Sequence, residues 1–138
     1  MKNNIYTIKE ANNPTSNSGN GEKGLIIVIH QADMDQNIQT LQGLVKAIKF
    51  DIHRDVKILT VESQSIDINA TLKEQSYNTL ILVGISADQI GFSINAKQYF
   101  FYKMEQISIL LTDSLSIMNA DKSKKMQFWK NLQERFLN

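Results

Sequence analysis

The chain has 138 residues, 42% of them hydrophobic, with 15 Lys and Arg against 14 Asp and Glu, a formal net charge of +1 and no cysteine. That length suits one domain with its own core. The balanced charge excludes a global field that recruits nucleic acid or a membrane, and the lack of Cys excludes disulfides, thiolate catalysis and thiolate-bound metals.

The first ten residues hold no run of seven apolar residues, so no secretion signal is expected. The longest apolar stretch, Leu25 to Ile29, falls far short of the roughly 20 residues of a membrane span. The expected location is the cytoplasm, with no membrane partner. Within the tail, Ile5, Tyr6 and Ile8 form a small apolar patch. It reads either as a docking peptide for a protein partner or as an edge strand packed on the chain's own domain. Residues 11–23 carry no large apolar side chain and hold the only proline, Pro14. Such a segment cannot offset its ordering entropy by burial and reads as a flexible linker. The expectation is a tail and linker over 1–23 and a single α/β domain over 24–138.

Leu25 to Ile29 is apolar on both faces, as in a central strand covered on both sides. Ile38, Leu41, Leu44, Val45 and Ile48 recur at helical spacing, with Asp33 or Asp35 as the expected N-cap. Val56 to Val61 reads as a second strand, Ile66 to Glu74 as a short helix, and Thr79 to Val83 as a third strand ended by Gly84. A helical turn is expected over Ala87 to Ile90, closed by Gly91. Lys97 to Lys103 and Ile107 to Thr112 read as a hairpin. A helix from about Asp121 to Phe136 closes the domain, with Met126, Trp129, Leu132 and Phe136 as its core stripe. Strands alternating with helices imply a mainly parallel sheet of about four to five strands in a three-layer α/β/α sandwich.

The chemistry on offer is sparse. His30 ends the first strand, on the rim where parallel sheets bind ligands, and reads either as a general base or as a strand-end histidine bonded locally. His53 lies in a polar turn. Asp33, Glu62 and Asp113 follow strands and suit acid, base or cation roles, or simple loop and cap roles. His30, Asp33 and Asp113 are the residues of an alternative strand-end site. The glycines form neither a dinucleotide fingerprint nor a phosphate loop. Lys122, Lys124 and Lys125 read as a solvated helix face or as phosphate contacts. In the run Tyr99 to Tyr102, alternate aromatics either face the core and the outside, the outer pair suiting an interface, or are buried on both faces. No cofactor, no metal and no strong nucleic-acid binding are expected.

These pieces resemble the uracil-DNA glycosylase-like fold and, within it, the psi subunits of bacterial DNA polymerase III. The resemblance covers about residues 24–137. It rests on the strand Gly24 to Ile29, the helix Leu41 to Ile48 leading to Asp55-Val56, the strand Leu80 to Gly84, the segment Thr112 to Met118, and Lys124 to Phe136 with Trp129 and Leu132. Glycosylases of this kind carry a Gly-Glu-Ala-Pro-Gly-like loop after the first strand, where this chain reads Ile29-His-Gln-Ala-Asp-Met34. Their later His-Pro-Ser turn is Asp113-Ser114-Leu115 here, without the histidine. The resemblance therefore implies a chain stripped of base-excision machinery and a psi-like, non-catalytic adaptor. Its tail would hold the clamp loader and its domain a chi-like subunit. The alternative it leaves open is a nucleic-acid-acting enzyme of that fold with a divergent active site.

Overall fold

The computed structural model describes residues 16–18, 21–61, 77–86, 97–104 and 106–137. Its elements run β1 (Ser16–Ser18), β2 (Leu25–His30), α1 (Gln31–Gln36), α2 (Ile38–Ala47), β3 (Val56–Val61), β4 (Thr79–Val83), β5 (Tyr102–Met104), β6 (Ile107–Thr112), α3 (Leu115–Ala120) and α4 (Lys122–Phe136). The strands form one six-stranded sheet in the order β1-β3-β2-β4-β6-β5. β3, β2, β4 and β6 are parallel, while β1 and β5 add antiparallel edges. The sheet is thus mainly parallel, with β2 at its centre as its two apolar faces require.

The period-two alternation of a strand explains the core. Leu25, Ile27 and Ile29 point to one face with Val56, Ile58, Ile81, Val83 and Leu110, where they meet Leu41 and Val45 of α2, Ile48 at its end, and Leu115, Phe128 and Leu132 of α3 and α4. Ile26, Val28, Leu59, Val61, Leu80, Leu82 and Ile109 fill the opposite face. That second face is equally buried, yet no helical residue joins it among the described residues. Each such aliphatic side chain contributes about 1.5–3 kcal/mol by burial, so two apolar faces make β2 and β4 the anchor of the domain. The expected helix at Ile66 to Glu74 and the turn at Ala87 to Ile90 lie outside the described residues. So do Ile5, Tyr6, Ile8 and Glu62.

Several expectations change. Ser16–Ser18, read as linker, pair antiparallel with Thr60, Leu59 and Ile58 of β3; an edge strand needs only backbone hydrogen bonds, which small polar residues supply. The strand read over Lys97 to Lys103 begins only at Tyr102. The aromatic run bends first, because Tyr99 takes φ 64°. Met104 still stands opposite Ile107, as a hairpin requires. α2 is entered through Asn37, not Asp33 or Asp35. α2 ends with Lys49 at φ 65°, the Phe50 amide donating to the Val45 carbonyl at 3.1 Å and the Lys49 amide to the Lys46 carbonyl at 2.9 Å. This is the left-handed ending usually taken by glycine.

The last helix starts as read, with the Asp121 carboxylate accepting the Ser123 and Lys124 amides. Its stripe is different. Phe128 and Leu132 are buried, Trp129 and Phe136 pack at the margin of the core, and Met126 is 64% exposed. Met126 sits roughly 200° around the helix from Phe128, so both cannot face the sheet. Phe136 meets Phe50 edge-on with ring centroids 5.1 Å apart, which secures the chain end against the ending of α2. Among the described residues no helix is long and apolar enough to cross a membrane.

Candidate functional site

The four parallel strands end on one rim. β2 and β4 are neighbours, and the chain leaves β2 towards β3 on one side and β4 towards β6 on the other. The rim beside β2 and β4 is the switch point at which open α/β sheets bind ligands. His30 stands there as the N-cap residue of α1, half-buried and with no side-chain cap bond.

Asp33 lies on α1, three residues into the chain after His30, and is buried. Its carboxylate is committed to the start of α3, just beyond the end of β6. Oδ2 accepts the Leu115 amide at 2.8 Å, and Oδ1 accepts the Ser116 amide at 3.2 Å, the Ser116 hydroxyl at 3.2 Å and the Asn37 side-chain amide at 3.0 Å. A carboxylate from one helix thus caps the start of another, α3. Ser114 adds the local cap by accepting the Ile117 amide. Helix starts leave such amides unpaired within the helix, and a negative charge there also opposes the helix dipole.

Asp113, after β6, has its own partners. Tyr99 donates its hydroxyl to Asp113 Oδ2 at 2.8 Å, and Lys124 Nζ stands 3.2 Å from the same oxygen. Burial pushes the Asp113 carboxyl up, but the Tyr99 hydroxyl and the Lys124 ammonium outweigh it and hold it below its ordinary value. Burial, with the Asp113 carboxylate beside it, pushes the Tyr99 phenol up to about 12. Asp113 is therefore an anion at neutral pH, suited to accepting hydrogen bonds and unsuited to donating a proton. His30, Asp33 and Asp113 do not form one cluster: Asp33 and Asp113 are each committed to their own partners, and no hydrogen bond joins either to His30. His53 is exposed in the turn before β3, as read.

Between the ends of β4 and β6 lies a cavity of about 470 Å³ whose lining includes Gly84, Ile85, Gln98, Leu111, Asp113 and Ile117. Neither His30 nor Asp33 reaches it. Gly84 shapes its floor: φ is +71°, and a Cβ there would lie 3.1 Å from both Cα and Cβ of Ser114. Tyr99, Lys124, Gln98 and Ile117 surround Asp113 or the cavity, and no local pattern in the sequence joins them to it. Tyr99 and Asp113 are 14 positions apart, beyond any local spacing rule, and nothing in the residue type marks a tyrosine for the left-handed region. Among the described residues no group of His, Asp and Glu could hold a metal ion. No protein-family model matches this chain. No curated protein matches it either.

The Tyr99–Asp113–Lys124 arrangement sets a pH dependence. A phenol raised in the folded state contributes stability that is complete below its ordinary value of 10.0 and disappears as pH rises through about 12. A depressed carboxyl contributes stability that is complete above 3.8 and is lost as pH falls through the folded value. Thermal melts are therefore expected to show a Tyr99-dependent alkaline loss between those two phenol values, and Tyr99→Phe should make that limb shallower. An alkaline limb equally steep in parent and variant would show that the phenol is not held by Asp113.

Proposed function

We propose that this chain is a non-catalytic, psi-like adaptor on a three-layer, uracil-DNA glycosylase-like α/β/α scaffold. In this reading it links the DNA polymerase III clamp loader to a second replication protein such as a chi-like subunit. The observation that carries the non-catalytic part is the commitment of Asp33. The Asp33 carboxylate, three residues after the end of β2, is spent on the amides of α3, leaving His30 without an acidic partner among the described residues. Asp113 stands where the resembled enzymes carry a histidine, and its low pKa suits a structural anion rather than an acid. General acid–base work needs a group poised near the operating pH and within reach of the substrate. The second buried face of the sheet supports a third layer.

The tail supplies the docking element of this reading. Ile5, Tyr6 and Ile8 are its only large apolar residues besides Met1, and a few apolar anchors must carry the binding of a short peptide that orders on contact. Changing all three to Ser is expected to leave the melting temperature of the domain unchanged and to abolish capture of the clamp loader from native extract. If the triple variant loses several degrees of melting temperature, the patch belongs to the domain's own core and the adaptor loses its docking peptide. Uracil release from single-stranded DNA that His30→Ala abolishes overturns the non-catalytic reading directly.

A further inference from the structure

We propose that the groove between Phe100 and α4 docks a short peptide segment of a partner protein, an apolar residue flanked by carboxylates. The starting point is a strained residue. Tyr99 takes φ 64°, a region costly for a residue with a bulky side chain. It is fastened there at three points. Its amide donates to the Leu111 carbonyl at 2.9 Å, its carbonyl accepts the Asn131 side-chain amide at 2.7 Å, and its hydroxyl donates to Asp113 at 2.8 Å. The next residue is turned outward as a result. Phe100 is 57% exposed, while its neighbour Phe101 packs on the core with the Arg135 guanidinium 5.4 Å from its ring. The same turn that buries Tyr99 and packs Phe101 against the core leaves Phe100 displayed to water.

The displayed ring borders a groove of about 320 Å³, formed with Tyr99, Gln127, Lys130, Asn131 and Glu134. That volume is at the small end of binding sites and suits one or two side chains. The charges around it select the occupant. Lys97 Nζ stands 4.8 Å above the Phe100 ring, and Lys130 lies on the α4 wall. Among the described residues neither lysine pairs with a carboxylate. Among the described residues Glu134 is the one acid of the groove, a helical turn beyond Lys130. An occupant's carboxylates are therefore drawn towards Lys97 and Lys130 and away from Glu134, while its apolar side chain covers Phe100. Covering the ring also removes water from the Lys97–Phe100 contact, which strengthens it. A pre-positioned aromatic of this kind is the usual form of an energetic anchor at an interface. Single-stranded nucleic acid is the less suited occupant, because it stacks successive bases on several rings along a basic track, and this groove offers one displayed ring beside an acid.

The inference draws on the adaptor reading only in expecting a protein partner at the domain. The test selects random peptides displayed on phage against the full-length protein. Selected sequences are expected to place Asp or Glu around an apolar residue. Their binding should fall at least about tenfold in Phe100→Ser, and likewise in the double variant Lys97→Glu, Lys130→Glu. Phe100 is exposed, so Phe100→Ser should melt with the parent; if it does not, the lysine double variant carries the test. No enrichment, enrichment without acidic residues, or binding unchanged in both variants overturns the proposal. Oligothymidylate binding lost in Phe100→Ser, with no peptide selected, overturns it in favour of nucleic acid. Loss of tail-dependent clamp-loader capture tests the adaptor reading separately and leaves the peptide selection unaffected.

Discussion

Asp33→Ala is expected to destabilise the domain by about 2–6 kcal/mol, because two backbone donors at the start of α3 lose their acceptor. The carboxylate accepts the amides of Leu115 and Ser116, and Leu115 is fully buried. Alanine leaves both donors without a partner, and each such loss costs about 1–3 kcal/mol. It also weakens the junction of α1 with α3, since the Ser116 hydroxyl and the Asn37 side chain converge on the same oxygen at 3.2 and 3.0 Å. Asp33→Asn should fall between parent and alanine, because one oxygen still accepts while the new side-chain amide nitrogen, itself a donor, faces donors. Urea unfolding of the three proteins checks the order. A loss below about 1 kcal/mol for alanine would mean that water replaces the carboxylate at the α3 start, and Asp33 would again be available for chemistry. The experiment therefore tests stability and the non-catalytic reading together.

Gly84→Ala is expected to cost about 2–5 kcal/mol, from two sources at one position. A side chain in the left-handed region costs about 1–2 kcal/mol. The added Cβ also meets Ser114 Cα and Cβ at 3.1 Å and its nitrogen at 3.3 Å. Those atoms are backbone or fixed to it, and overpacking of this kind costs about 1–3 kcal/mol. Ser114 cannot retreat freely, because it caps α3 and the Gly84 amide donates to the Thr112 carbonyl beside it at 2.9 Å. Gly43→Ala is the matched control. Gly43 lies within α2 with nothing within 4 Å of an added Cβ, so alanine there should stabilise by about 0.5–1 kcal/mol. Guanidinium unfolding of both variants gives the comparison. Equal midpoints for the two would show that the end of β4 yields more readily than its contacts with Ser114 imply.

Much of this architecture was legible in the residues themselves. Leu25 to Ile29 and Thr79 to Val83 are apolar at every or nearly every position, and a strand with two apolar faces belongs inside a sheet. The spacing of Leu41, Val45 and Ile48 names the buried face of α2, and Gly84 marks the turn that ends β4. These signals are periodic or conformational and fit within a short window of chain. The remaining assignments depend on which elements meet. Asp33 reads as a local helix cap, yet its partners lie 82 and 83 positions away. Met126 and Phe128 fit two overlapping stripes of one helix, and only the position of α4 against the sheet chooses Phe128. Tyr99 carries no mark of the left-handed turn that bends the expected strand and exposes Phe100; Leu111, Asn131 and Asp113 impose it together. The sequence by itself determined the central strands β2, β3, β4 and β6 and the buried face of α2, because hydrophobic periodicity is a property of neighbouring residues. Only the tertiary structure decided which carboxylate meets which amide and which aromatic faces water, because the order β3-β2-β4-β6 brings together residues that no local pattern connects.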